Sequence, residues 1–264
     1  MTGSEQETEP GRGAHFVQSL ERGLAVIRAF HADASELTLS DVAKSTGLTR
    51  AAARRFLLTL ADLGYVRTDG KHFSLTPRVL ELGYAVLSSM TLPEVAQPHL
   101  ERLSGEVGES SSVSMLDGAD IVYVARFAVS RIMTVSITVG TRFPAYATSM
   151  GHVLLAGLGE DALTAHLADA ALTPFTSQTI TSPERLRAAL AQVREQGWAL
   201  VDQELEEGLR SIAAPLRDRS GTVIAAVNVS THASRTSVDA LRRDMLPPLL
   251  AACDRIEKDL AAAG

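Results

Sequence analysis

Apolar residues recur with helical spacing on both sides of a short turn near the amino end of the chain. A first helix is predicted after Thr38 and Asp41, whose spacing matches a capping box, and Gly47 is placed to end it in a left-handed turn. Thr49 is a suitable N-cap for a second helix, which Gly64 ends. The recurring apolar residues of this second helix predict its buried side: Ala53, Phe56, Leu57, Leu60 and Leu63. Two helices joined by so short a turn are typical of a helix-turn-helix motif.

The residues after the second helix surround an Asp-Gly pair, a pattern that predicts a β-hairpin. Its two short strands are predicted at residues 65–67 and 73–75. A hairpin in this place is typical of a winged helix, whose second helix enters the major groove of DNA. The arginine spacing alone leaves open an ordinary helical hairpin with a solvated basic face. The residues expected to contact DNA are Thr49, Arg50 and Arg54 at base edges, and Arg55, Arg67 and Lys71 at phosphates.

The segments on either side of this motif differ in character. Residues 1–15 are polar and without periodicity, so we expect a disordered tail. Residues 16–76 form the predicted winged helix-turn-helix domain. Its first helix is expected to turn four apolar residues inward, which are Leu20, Leu24, Val26 and Ile27. Residues 77–90 are apolar around much of a helix, and this pattern predicts a linker helix that packs across a dimer.

From residue 91 onward, runs with alternating β-branched residues are mixed with helical patterns. Antiparallel strands are predicted at residues 111–116, 121–127, 132–139, 198–205, 211–216 and 223–230. Helices are predicted at residues 91–107, 150–158, 160–170, 182–196 and 236–260. The last helix is expected to start at Thr236 and to break at Pro247-Pro248. Helices beside a largely antiparallel sheet make residues 91–264 a predicted α+β domain.

The composition indicates the cellular compartment and shows how charge is distributed along the chain. Neither an apolar run of 18 or more residues nor a basic-then-apolar leader occurs, so we expect a cytoplasmic protein without a membrane partner. The net charge is −6, yet residues 16–89 hold nine Lys/Arg against seven Asp/Glu. The positive charge therefore lies where DNA contact is predicted, which favours a specific, dimeric reader of DNA. Cys253 is the only cysteine, so an internal disulfide and a cysteine-based zinc site are excluded.

The second domain lacks the common motifs of enzymes. Residues 148–152 (TSMGH) are the nearest string to a nucleophile elbow, but the first glycine of that motif is missing. The histidines are scattered without the spacing of metal ligands, and neither a phosphate loop nor a dinucleotide fingerprint is present. We therefore assign no catalytic residue, metal or cofactor.

Small polar residues on otherwise apolar strands carry more information. Asn228 and Ser230 are expected on one face of a strand and Val227 and Val229 on the other, and Ser211 begins a similar strand. A buried polar group without a partner costs about 1–3 kcal/mol. Several of them on one face indicate either a site for a polar ligand or ordinary hydrogen bonding to neighbouring loops, and the spacing leaves both open.

These motifs together resemble the IclR family of bacterial transcription regulators over residues 16–260. Within that family the chain is most similar to regulators of protocatechuate, 4-hydroxybenzoate and β-ketoadipate catabolism. The strings that carry the resemblance are residues 53–60 (ARRFLLTL), 73–84 (FSLTPRVLELGY), 140–146 (GTRFPAY), 148–151 (TSMG), 207–213 (EGLRSIA) and 228–230 (NVS).

The resemblance implies a winged-helix domain, a linker helix and a GAF-like α+β effector domain, in a homodimer or homotetramer that binds palindromic double-stranded operator DNA. It also implies a pocket for a small carboxylated effector, with Arg126, Arg142 and Arg210 as candidate charge partners. By motif, the effector pocket is assigned to Ser149, Met150, Gly151, His152, Asp202, Ser211, Asn228 and Ser230. His152 stands where this subgroup usually has an arginine, a departure that could make effector binding depend on pH. The alternatives are a ligand-independent DNA-binding dimer and an enzyme with a DNA-binding appendage.

Overall fold

The computed structural model describes residues 15–31, 34–82, 91–129, 137–168 and 170–263. They belong to two compact units, Met1–Ser89 and Met90–Gly264, and each unit is described by itself. The predicted tail, apart from His15, lies outside the described residues. So does most of the predicted linker helix, of which the structure describes a 3₁₀ turn at Pro77–Leu80 and the two residues after it.

Among the described residues of the first unit, three helices pack with a small antiparallel sheet. The helices are α1 (Gln18–Arg28), α2 (Leu39–Thr46) and α3 (Arg50–Asp62), and the strands are β1 (Glu36–Thr38), β2 (Val66–Thr68) and β3 (His72–Leu75). The strand order is β1-β3-β2, so the hairpin β2–β3 forms the wing and β1 extends it. The predicted winged helix-turn-helix is confirmed. Strand β1 was not predicted, because three residues are too few for a period to be visible.

Local capping signals fix the path of the chain through the helix-turn-helix. The backbone N–H of Thr38 donates to Asp41 Oδ2 at 2.9 Å, and the N–H of Asp41 donates back to Thr38 Oγ1 at 3.3 Å. Gly47 ends α2 with φ +67°, a left-handed conformation that glycine adopts without steric cost. Thr49 then caps α3 by accepting the N–H of Ala52 at 3.2 Å. These contacts set the angle at which α3 leaves the turn.

Three leucines that were predicted to face inward are exposed instead. The exposed fractions are 63% for Leu20, 45% for Leu24 and 52% for Leu63. Val26 of α1 and Phe30, two residues after the end of α1, join the core of this unit instead. The prediction was wrong because apolar residues lie on two sides of a helix of 11 residues, and the spacing does not say which side is buried.

The second unit is built on a six-stranded antiparallel sheet. Its strands are β4 (Ser110–Asp117), β5 (Asp120–Phe127), β6 (Arg142–Pro144), β7 (Ala199–Asp202), β8 (Leu209–Arg217) and β9 (Val223–His232), in the order β6-β5-β4-β9-β8-β7. The helices are α4 (Thr91–Val107), α5 (Ser149–Ala156), α6 (Glu160–Ala168), α7 (Pro183–Gln196) and α8 (Leu246–Ala263). Of the strand predicted at 132–139, residues 132–136 lie outside the described residues, and 137–139 are not in a strand. The edge strand β6 was missed.

The sheet separates two apolar cores. Helices α4 and α8 cover one face, where Leu100 and Leu249 pack against Val227 and Val229 of β9. Helices α5 and α7 cover the other face, whose core includes Ala213 of β8. This arrangement confirms the predicted α+β class of the second domain and leaves room for polar side chains on the face beneath α5.

The approach to α8 differs from the prediction. Ser237, rather than Thr236, is the N-cap of a short helical segment at Val238–Ala240, and its hydroxyl accepts the N–H of Ala240 at 3.1 Å. The backbone carbonyl of Thr236 instead accepts a hydrogen bond from Arg210. A π-helical turn at Leu241–Met245 stands immediately before α8, whose second and third residues are prolines. This irregular turn is the break that the proline pair predicted. Cys253 is buried in α8, as expected for a small apolar residue, and burial raises the pKa of its thiol.

The loop between β7 and β8 holds a buried carboxyl group. The hydroxyls of Thr176 and Thr179 donate to the backbone carbonyls of Gln203 and Glu204, each at 2.6 Å. The side chain of Glu204 is turned inward, where its closest backbone donor is the N–H of Ile180 at 3.5 Å. Burial raises the pKa of Glu204 from 4.5 to about 7. Ionisation of the Glu204 side chain therefore destabilises the folded conformation of this loop.

We expect the substitution Glu204→Gln to flatten the dependence of stability on pH. Because folding raises the pKa of Glu204 from 4.5 to about 7, the wild type loses stability as the pH rises through this window, whereas glutamine stays neutral. Melting temperatures from about pH 5 to about pH 8 measure the effect. The variant should exceed the wild type at the upper end and approach it at the lower end. Glu207→Gln, at an exposed position of the same loop, should keep the wild-type slope. An unchanged slope in Glu204→Gln would contradict this account.

Candidate functional site

The start of α3 presents basic side chains to solvent. Arg50 and Arg54 lie one helical turn apart, and both are exposed and without an ion-pair partner among the described residues. Arg55 is also exposed, but it lies on the side of α3 next to the start of α1. The Oγ1 of Thr49 already accepts the N–H of Ala52, so its hydroxyl can still donate its proton and accept one further hydrogen bond at an interface. This end of α3 therefore offers two unpaired guanidinium groups side by side.

The wing adds two further cations on a rigid turn. Arg67 Nε donates to Ser74 Oγ at 2.9 Å across the hairpin. The backbone N–H groups of His72 and Lys71 donate to Asp69 Oδ1 at 2.7 and 2.8 Å, and these bonds lower the pKa of Asp69 to about 2. The ionised carboxylate holds the turn closed, and Lys71 is displayed at its exposed tip.

In the second unit, a narrow cavity lies between the start of α5 and the face of the sheet that α5 covers. Much of it consists of crevices narrower than a water molecule. Its wall is mostly apolar, with a few hydroxyl and amide groups. The lining residues are Tyr123, Ile137, Phe143, Ala147, Thr148, Ser149, Met150, Val201, Leu205, Leu209, Ser211, Asn228 and Ser230.

The polar part of this wall comes from three elements. The hydroxyls of Ser149 on α5 and Ser211 on β8 lie 2.8 Å apart. On β9, Asn228 Nδ2 donates to Ser230 Oγ at 2.9 Å. Asn228 Oδ1 is buried and has no hydrogen-bond partner among the described residues. A lone buried acceptor costs about 1–3 kcal/mol, so it indicates a place that a ligand completes.

Gly151 and His152, both predicted in the pocket, do not line this cavity. Gly151 packs against the backbone of Ala145, where a Cβ atom would come within 1.9 Å of the carbonyl oxygen, and its N–H is taken by Thr148 Oγ1 at 3.0 Å. His152 Nε2 lies 2.6 Å from the carbonyl oxygen of Tyr146 and donates to it. Burial lowers the pKa of His152, so the imidazole stays neutral near pH 7. The predicted pH dependence of effector binding therefore has no support from this residue.

Asp202 is the third residue that was predicted in the pocket but does not line the cavity. An ion pair holds its side chain elsewhere. Its two carboxylate oxygens accept hydrogen bonds from Arg210 Nε at 2.7 Å and Nη2 at 2.8 Å. Arg142, another candidate charge partner, is paired with Asp117 and Asp120 on the exposed side of the sheet. Two of the three arginines considered for the effector are therefore already neutralised.

Sequence reasoning missed the apolar wall of the cavity. Tyr123 and Phe143 pack edge to face, with ring centroids 6.0 Å apart, and burial raises the pKa of Tyr123 to about 12. Leu205 comes from the loop that follows β7, and Leu209 is the first residue of β8. All four have the pattern of ordinary core residues. Only the tertiary contact between α5 and the sheet distinguishes them.

Metal sites and membrane-spanning helices were considered for the part of the chain that the structure describes. Within it, no group of three or more His, Cys, Asp or Glu residues is arranged to hold a metal ion. The helices described above also include none that is both long enough and apolar enough to span a bilayer.

Comparison with known proteins agrees with this architecture. The model of the IclR helix-turn-helix domain matches residues 19–70, and that of the C-terminal domain of bacterial IclR transcriptional regulators matches residues 84–258. The chain is 50% identical over 238 residues to the Pca regulon regulatory protein of Pseudomonas putida, which covers 90% of this chain and 82% of that protein.

Two solved structures are similar over nearly the whole chain. A crystal structure of a candidate transcriptional regulator from Rhodococcus sp. RHA1 is 61% identical, with a TM-score of 0.83, and covers 94% of this chain and 100% of that one. An IclR homologue from Microbacterium hydrocarbonoxydans in complex with 4-hydroxybenzoate is 27% identical, with a TM-score of 0.81, and covers 92% and 99%. The chain therefore belongs to the IclR family of bacterial transcriptional regulators.

Proposed function

We propose that this protein is a transcription factor that controls genes of aromatic-acid catabolism. In this proposal α3 binds operator DNA, and a small carboxylated effector fills the cavity between α5 and the sheet. Family membership and the exposed arginines of α3 support the first part. The observation that carries the second part is Asn228 Oδ1, a buried acceptor at the cavity without a partner among the described residues.

The chemistry of the cavity matches an aromatic acid. Tyr123, Phe143 and Met150 offer apolar contacts to a ring, while the hydroxyls of Ser149 and Ser211 can donate to and accept from a ring substituent. The similar proteins named above include a regulator of the Pca regulon and a homologue bound to 4-hydroxybenzoate. A ring enters the narrow cavity only if flexible side chains such as Met150 shift, so binding and conformational change are coupled.

On the DNA side, Arg50 and Arg54 read base edges in the major groove, with a minor contribution from the Thr49 hydroxyl. Arg55, Arg67 and Lys71 hold phosphates. A homodimer sets two copies of α3 about 34 Å apart, which is one turn of duplex, and a tetramer pairs two such dimers. The exposed Leu20 and Leu24 of α1 support subunit contact, because apolar side chains in a row mark interaction surfaces.

Regulation requires that the effector bind one arrangement of the DNA-binding units better than another. A coupling free energy of about 1–3 kcal/mol is typical of such systems. The proposal assigns no catalytic residue and places the protein in the cytoplasm with its operator. Turnover of an aromatic acid by the purified protein would favour the enzyme alternative. A screen in which none of these acids raises the melting temperature would favour a ligand-independent dimer.

We expect Arg54→Ala to reduce operator affinity by about 1–3 kcal/mol and to relax the preference for one base pair, because a bidentate contact to guanine is lost. Lys71→Ala should weaken binding to all sequences alike and reduce its salt dependence, because only a phosphate contact is lost. Competition binding with operator and scrambled duplexes at two salt concentrations measures both variants. Equal losses of Arg54→Ala on the two duplexes would remove its base-reading role.

We expect Asn228→Leu to abolish the response to effector while leaving folding and operator affinity intact. The variant replaces a buried polar group, whose Oδ1 lacks a partner among the described residues, by an apolar group of similar size, so the free protein loses little stability. Melting temperature with and without protocatechuate, 4-hydroxybenzoate and β-ketoadipate is the measurement. Gln192→Leu, at an exposed position of α7, is the control and should respond like the wild type. A wild-type response of Asn228→Leu would exclude this residue from the pocket.

A further inference from the structure

Arg126 on β5 carries a cation in unusual surroundings. Its Nη1 donates to the hydroxyl of Ser112 on β4 at 3.1 Å. Its Nε is buried and has no acceptor among the described residues. Burial lowers the pKa of Arg126, because its charge has lost water without gaining a counter-ion. The side chain therefore holds a partly desolvated positive charge that donates to a neutral hydroxyl, that of Ser112.

Two other arginines of the same sheet, Arg210 on β8 and Arg142 on β6, are in a different state. Arg210 is held by both oxygens of Asp202, and Arg142 is held by Asp117 and Asp120. No carboxylate lies within ion-pair distance of Arg126 in the described part of the chain. Removing a charge from water without a partner costs several kcal/mol in general, so such a group needs an explanation outside the resting structure.

The strand register places this charge beside the cavity. Arg126 is opposite Ser112 in the pairing of β5 with β4, and Ser112 is opposite Asn228 in the pairing of β4 with β9. Directly opposed residues have Cβ atoms about 4.5–5.5 Å apart on the same face of a sheet. The three side chains thus form one row, and Asn228 at its end lines the cavity.

An electrostatic interaction with Tyr123 also places Arg126 near the cavity. The charge of Arg126 acts on the hydroxyl of Tyr123, another lining residue, and offsets part of the rise in its pKa that burial causes. The donor of Arg126 and the acceptor of Asn228, which both lack partners among the described residues, therefore belong to one cross-strand row that ends at the cavity.

We propose that the guanidinium group of Arg126 is the charge partner of the effector carboxylate and selects acids over their neutral analogues. This inference rests on the proposed function of the cavity as an effector site. The carboxylate accepts a charge-assisted hydrogen bond from Nε and replaces the water that burial removed. Polar substituents at the far end of the effector then face the paired hydroxyls of Ser149 and Ser211.

Acid and amide pairs test this assignment, because a primary amide keeps the shape of the acid and removes its charge. Calorimetric titration of the full-length protein would use 4-hydroxybenzoate with 4-hydroxybenzamide, and protocatechuate with its amide. We expect the wild type to prefer the acid by about tenfold or more, and Arg126→Gln to lose most of that preference through weaker binding of the acid. Arg142→Gln, whose parent side chain is exposed and paired with Asp117, is the matched control and should keep the wild-type ratio.

Stability without ligand gives a second, independent readout. Arg126→Met should melt at the same temperature as the wild type or higher, because an apolar group replaces a buried charge without a counter-ion. Arg194→Met should melt lower, because Arg194 donates to the carbonyl oxygens of Ala156 and Leu158 at 2.9 and 3.2 Å. A lower melting temperature for Arg126→Met would assign Arg126 a structural role and overturn the inference.

The outcomes distinguish the role of Arg126 from the proposed function of the cavity as an effector site. If the wild type binds neither aromatic acid nor β-ketoadipate, both the effector site and the role of Arg126 are wrong. If the wild type binds an acid and Arg126→Gln keeps the same acid-to-amide ratio, only the role of Arg126 is wrong. Loss of the ratio in Arg126→Gln, with the ratio kept in Arg142→Gln, supports the assignment.

Discussion

Strand β9 is hydrogen-bonded to β4 on one side and to β8 on the other, and its side chains alternate between two environments. Val227 and Val229 enter the core beneath α4 and α8, while Asn228 and Ser230 face the cavity beneath α5. A shift of one residue in either pairing would exchange the two sets, burying the polar groups among leucines. The register of this central strand therefore maintains the core and the cavity at once.

The helix-turn-helix and the wing of the first unit could be predicted, because their determinants are local. The capping box of Thr38 and Asp41, the left-handed Gly47 and the Asp-Gly hairpin each act within a few residues, and a reader of the sequence sees all of them. The exposed leucines escaped prediction for the opposite reason. Whether Leu20 faces a core or solvent is decided by the position of other helices, about which the period of α1 says nothing.

The cavity was predicted in part, and the boundary between success and failure is again physical. Alternation along a strand is a local rule, so the face shared by Asn228 and Ser230 followed from it. Motif transfer assigned Gly151, His152 and Asp202 to the same pocket, but their polar groups are bound elsewhere. The N–H of Gly151 donates to Thr148, the imidazole of His152 to Tyr146, and the carboxylate of Asp202 accepts from Arg210. Such hydrogen bonds are seen only in the folded chain. The apolar wall was missed because Tyr123 and Phe143 are indistinguishable from core residues until α5 is seen above them.

The contacts of His152 indicate which part of the proposed effector site would confer specificity. The N–H of Gly151 is bound to Thr148 and the imidazole of His152 to Tyr146, so this part of the first turn of α5 is occupied in joining the helix to the preceding chain. His152 is neutral and turned toward Tyr146, so it contributes no charge to the cavity. A substitution at position 152 would therefore act on the packing of α5 against the preceding chain. Under the proposed function, an anion would therefore be recognised from the sheet, where β5 and β9 carry the buried polar atoms that lack partners among the described residues, Arg126 Nε and Asn228 Oδ1. A regulator built in this way can change its effector through substitutions on the strands while the helix keeps the same packing.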